Sequence, residues 1–154
     1  MDAILTSLIA VLGTLLGSLL THVFQVRSNR RAEWSARAEQ HRQERIEAFG
    51  AYAGVLVEFR QAALHHWHCI HQGTDAAEEP VLRGRSYEAR SRAQHALFRV
   101  QLTARTPEIG ELAAGAFEEI GRIDQAADLA GLIDRRDATR VRIDEFVTAA
   151  REQL

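Results

Sequence analysis

Lysine is absent from this chain of 154 residues: all 19 basic residues are arginine, against 21 Asp and Glu. The formal net charge of -2 excludes a wholesale nucleic-acid binder, whose domain is normally strongly basic. The single cysteine, Cys69, excludes an internal disulfide framework. Only two prolines occur, Pro80 and Pro107, so long stretches run without a helix breaker. Catalytic signatures are missing too. There is no P-loop, no G-x-G-x-x-G and no G-x-S-x-G. Acidic pairs such as Glu118 and Glu119 read as solvated helix faces, and no β-type alternation of useful length is found. The expectation is a non-enzymatic, all-α protein without a cofactor.

Acidic and basic residues are also missing from one long run, Ile4 to Phe24. About 20 helical residues cross the ~30 Å hydrocarbon core, and a charge-free run of ~18 or more reads as a span. Residues 3–26 are therefore expected to form one transmembrane helix, with the lipid bilayer as the first partner. A cleaved signal peptide is the rival. It requires a basic n-region and a small-residue cleavage site, whereas Met1-Asp2 is acidic and His22, Phe24 and Gln25 close the run. Arg27, Arg30 and Arg31 follow the span, and nothing basic but the terminal amine precedes it. Positive charge stays on the cytoplasmic side, so the N-terminus is expected outside and the remainder in the cytoplasm.

Gly13 and Gly17 form G-x-x-x-G, and Thr21 extends the spacing. Small residues let two membrane helices approach closely, so this face is the expected route to a homo-oligomer. Residues 27–45 read as a charged juxtamembrane helical stalk, with Glu33 and Arg37 one turn apart and Trp34 its only large apolar residue.

From residue 46 to 154 the pattern is that of an amphipathic helical domain. Phe49, Tyr52, Leu56, Phe59, Ala63, Trp67 and Ile70 recur at steps of three and four, giving one apolar face. Gly73 suits a C-terminal cap and Pro80 a restart. A second helix from about Leu82 to Arg105 has a thin face of Leu82, Ala89, Ala93, Ala96, Leu97, Val100 and Ala104. Thr106-Pro107 marks the next start, with a stripe of Ile109, Leu112, Ala116, Ile120, Ile123, Ala127 and Ala130. Gly131 to Arg136 reads as a turn, and Asp134 or Asp137 as the cap of a last helix burying Ile143, Phe146, Val147 and Ala150. The expected fold is one transmembrane helix followed by an antiparallel helical hairpin or four-helix bundle.

One cluster carries potential chemistry: His65, His66, Trp67, His68, Cys69 and His71. On a helix His65 and Cys69 share a face, as do His68 and His71. Imidazole and thiolate suit zinc, copper or haem iron. Four ligands on one helix cannot converge on one ion, so His65, His68, Cys69 and His71 would need help from elsewhere, with His95 one source. Otherwise the histidines simply favour the partial negative charge at a helix C-terminus.

The run SLIAVLGTLLGSLLTHVFQ, then RSNRRAE, then RQERIEAFGAYAGVLVEFRQA, resembles small actinobacterial membrane proteins of the KilB family, encoded on Streptomyces conjugative plasmids and on chromosomes. The resemblance covers roughly residues 7 to 62; beyond it the likeness is one of helical character. It implies a membrane protein linked to plasmid transfer and spread between mycelial compartments, toxic when unregulated, with no catalytic residues to carry over. Two other classes stand beside a membrane-anchored interaction and assembly protein with an unidentified protein partner. One is a metal- or haem-responsive membrane sensor using the histidine cluster. The other is a phage-type membrane-permeabilising protein.

Overall fold

A computed structural model describes residues 33–71, 73 and 78–154. The elements are α1 (Asp2–Gln72), α2 (Glu79–Thr103), α3 (Pro107–Gly121), a single turn of 3-10 helix (Ile123–Gln125) and α4 (Leu129–Glu152). No strand occurs among the described residues, as the all-α expectation requires. No helix of the described residues is long and apolar enough to cross a membrane. The expected span at residues 3–26 lies outside them, and so do Gly13, Gly17, Thr21, Arg27, Arg30 and Arg31.

The chain divides into two compact units, Met1–His41 and Arg42–Leu154. In the first, the described residues 33–41 are helical and exposed; Trp34 is 71% exposed. The second begins a little before residue 46. Arg45, expected in the stalk, is buried, and Arg42 Nε donates to the Leu154 carbonyl oxygen at 2.7 Å.

Side-chain contacts fix the helix directions in this second unit. Arg42 meets Leu154, and Phe49 meets Phe146, so the bundled part of α1 runs antiparallel to α4. Glu58 meets Arg92 and His66 meets Glu79, so α1 also runs antiparallel to α2. Tyr52 bonds to Ala113 and Trp67 to Ala126, so α1 runs parallel to α3. The result is an up-down-up-down bundle, the simplest way for four helices with short connections to bury one stripe each.

The core follows from what each stripe supplies. α1 contributes bulk: Phe49, Tyr52, Leu56, Phe59 and Trp67 are all buried. The Tyr52 ring meets Phe146 edge-on at 5.2 Å and the Phe59 ring meets Phe117 at a tilt, 5.6 Å between centroids. Such pairs contribute roughly 0.5–1.5 kcal/mol beyond the area they bury. α2 contributes Ala89 and Ala93, both fully enclosed, so its backbone can lie close to that aromatic layer. Leu97 and Val100 complete its buried face.

Each boundary has a local cause. Gly73, with φ +71°, follows the last residue of α1 in the left-handed conformation that glycine adopts without a Cβ penalty. Thr106, extended at φ -127° and ψ 148°, precedes Pro107 at the start of α3, as expected. Its hydroxyl caps nothing in its own helix. It accepts instead from Gln153 Nε2 at 2.6 Å, while Gln153 Oε1 accepts from the Arg105 amide at 3.3 Å.

Three expectations need correction. Ile70 is 53% exposed; at this end of α1 the buried side runs through Ala63, His66 and Cys69 beside Trp67, and Ile70 falls off it. α3 does not continue to Ala130: it ends at Gly121, and Ala127 and Ala130 are exposed. The segment from Gly131 to Arg136 is therefore no turn, and neither Asp134 nor Asp137 caps α4. Asp128 does, its carboxylate accepting from the Gly131 amide at 2.8 Å. That cap starts α4 early enough to bury Leu132 and Thr139 ahead of Ile143, Phe146 and Ala150.

Candidate functional site

The histidine-rich end of α1 is spread around the helix, because consecutive residues turn through about 100°. His65 and His71 are exposed, His68 is half-buried, and Cys69 is buried. His71 stacks on the Trp67 ring at 4.0 Å between centroids, with its Nδ1 3.0 Å from the Trp67 carbonyl oxygen. That contact makes Nδ1 the protonated nitrogen of a neutral ring. His95 is exposed on α2. Among the described residues no group of three or more His, Cys, Asp or Glu side chains is placed to hold a metal ion.

His66, the histidine passed over in the sequence, has the most unusual surroundings. It is 8% exposed, held inside by its position one turn beyond Phe59 and Ala63 on the apolar face. Its Nε2 lies 3.6 Å from Glu79 Oε1 at the start of α2, and its Nδ1 lies 3.5 Å from Asp124 Oδ1 in the 3-10 turn. Neither ring nitrogen makes a hydrogen bond to a described residue. A neutral imidazole carries one N–H and one lone pair, so it can donate to at most one of the two carboxylates. The two carboxylates stand at opposite ring nitrogens, which prevents all three groups from converging on one ion.

Beside His66 is a cavity of about 70 Å³. Phe59, Ala63 and Ile120 form its apolar wall; His66, Ser86 and Asp124 bring polar atoms to it, and Arg83, Tyr87 and Arg90 complete the lining. Arg83 Nε is 3.7 Å from Glu79 Oε1, and Glu79 is thereby shared between Arg83 and His66. Arg90 makes no ion pair among the described residues; its guanidinium carbon sits 5.2 Å from the centre of the Phe117 ring. Gly121 permits this approach, since a Cβ there would lie 3.0 Å from Arg90 Nη1. The sequence carried one signal of this site: His66 shares the three-four spacing of Phe59 and Ala63. Glu79, Arg83, Arg90 and Asp124 come from other segments and looked like ordinary surface charge.

No curated protein and no solved structure matches the chain. The family model described as KilB plasmid transfer protein matches residues 46–154. That range is the helical bundle, the part that the sequence had related to the family in helical character alone; of the 7–62 stretch, only residues from 46 onward fall within it. Well over half of the chain is matched, and the chain belongs to the KilB plasmid transfer protein family.

Proposed function

We propose that this protein is a membrane-anchored, non-enzymatic interaction and assembly protein acting in plasmid transfer, and in the spread of a plasmid between mycelial compartments. The observation that carries this reading is the family match over the whole bundle. The charge-free run at residues 4–24 supports an anchor, with Arg27, Arg30 and Arg31 holding the C-terminal domain in the cytoplasm. Gly13, Gly17 and Thr21 support self-association in the membrane. The bundle then presents its outer helix faces to a protein partner, with no direct contact to nucleic acid required. Residues 27–41 join anchor to bundle as a solvated stalk.

The experiment has two arms. Membranes from cells making the full chain are washed with alkaline carbonate, and the protein is expected to stay with the pellet; release into the supernatant removes the anchor from the reading. A host carrying a conjugative plasmid is compared with and without the gene. Loss of spread, restored by the full chain and not by residues 33–154 alone, is the expected result. Unchanged spread removes the role in transfer.

A further inference from the structure

We propose that the cavity beside His66 binds a hydrogen-phosphate group, an oxyanion that still carries a proton. Nothing in the role in plasmid transfer requires this site, and the two readings stand or fall separately.

The charge around the cavity sets the sign of the ligand. Two guanidinium groups, Arg83 and Arg90, line it against one carboxylate, Asp124. Arg90 is engaged by the Phe117 ring and by no carboxylate among the described residues, which leaves its N–H donors to an anion. Arg83 has only a long contact to Glu79, whose carboxylate His66 also draws on. His66 itself is a buried polar side chain, and neither ring nitrogen has a hydrogen bond to a described residue. Ser86, buried on α2, adds a hydroxyl, and Tyr87 adds another at the rim. Planar arginine donors matched to tetrahedral oxygens are the usual means of holding phosphate.

Asp124 sets the protonation state of the ligand. A carboxylate accepts hydrogen bonds and offers none, so it repels an oxyanion that presents lone pairs on every side. An anion with one O–H can donate to Asp124 while its other oxygens accept from the arginines. Hydrogen phosphate meets this requirement at neutral pH, a phosphomonoester meets it as the monoanion that forms below its second pKa of about 6, and sulfate does not. Size sets the rest. A cavity of about 70 Å³ is large enough to admit a phosphate group.

Gly121 links the site to the fold. With a Cβ at that position the tip of Arg90 would have to give by a few tenths of an ångström.

Binding is measured by isothermal titration calorimetry on the full chain in detergent micelles, with inorganic phosphate and with sulfate at matched ionic strength. Phosphate is expected to bind at least about tenfold more tightly than sulfate, a difference of about 1.4 kcal/mol. Asp124→Asn replaces one acceptor by a donor and is expected to bring sulfate up to phosphate. Arg90→Gln, at an exposed position that leaves the core intact, is expected to weaken both, whereas Arg99→Gln, away from the cavity, leaves both unchanged. A parallel titration with glycerol 3-phosphate separates a free ion from a phosphorylated molecule as the source of the group; binding of either supports the site. Equal affinity for phosphate and sulfate in the unaltered chain overturns the proposal. So does undiminished phosphate binding in Arg90→Gln, and both comparisons hold even if Asp124→Asn fails to fold.

Discussion

The Tyr52 hydroxyl donates to the main-chain carbonyl of Ala113 at 2.8 Å, across the bundle from α1 to α3. Ala113 lies inside α3, so its oxygen accepts this bond in addition to its helical one. A phenol enclosed among Phe49, Leu56 and Phe146 has one polar outlet, and the helix backbone supplies it.

Burial pushes the ionisation of Tyr52 well above the ordinary value for tyrosine. The unfolded chain releases this proton near pH ~10, while the folded chain retains it. The stability contributed by the neutral phenol is therefore complete below that pH and is lost progressively as pH rises above it. Denaturant midpoints followed by far-ultraviolet circular dichroism should fall from about pH 10 upward. Tyr52→Phe should cost about 1 kcal/mol at neutral pH, one hydrogen bond, and should flatten the alkaline decline. An equally steep decline in the variant would show that another group governs it.

Asp128 starts α4 by accepting from the Gly131 amide. Asp128→Ala removes that acceptor and should lower stability by about 1 kcal/mol, whereas Asp128→Asn should keep most of it. Urea unfolding of the three proteins reads this directly. If alanine and asparagine cost the same, charge and not capping geometry is what the aspartate supplies.

The association of the membrane segment is expected to depend on its glycines. A transmembrane association reporter fused to residues 1–31 should give a clear signal, and Gly13→Ile or Gly17→Ile should abolish it by forcing the backbones apart. Signal retained in both variants would make the G-x-x-x-G spacing incidental. Signal from the full chain alone would move self-association to the bundle.

Large side chains made much of this fold legible. Phe49, Tyr52, Leu56, Phe59 and Trp67 can be on one side of a helix only if that side is buried, and it is. Alanine carries no such information: Ala127 and Ala130 kept the rhythm of α3 although the helix had already ended at Gly121. The cap at Asp128 was written in the sequence as an acidic residue three before a glycine. It was outweighed by the apparent turn at Gly131. The site around His66 was legible only in part. Helical spacing places His66 inside, but spacing on one helix says nothing of Glu79 or Asp124, which arrive through the fold. Arg90 reads as solvated charge until Phe117 and Gly121 are seen beneath it.

Trp67 makes the same kind of bond as Tyr52, its indole Nε1 donating to the Ala126 carbonyl oxygen at 2.8 Å. In both pairs the acceptor belongs to the main chain, and a change of side chain at position 113 or 126 cannot delete it. Each contact is therefore inherited through a single codon. Among descendants of this protein, Tyr52 and Trp67 should persist without compensating partners, so these two cross-bundle links would leave no trace in any search for correlated substitutions.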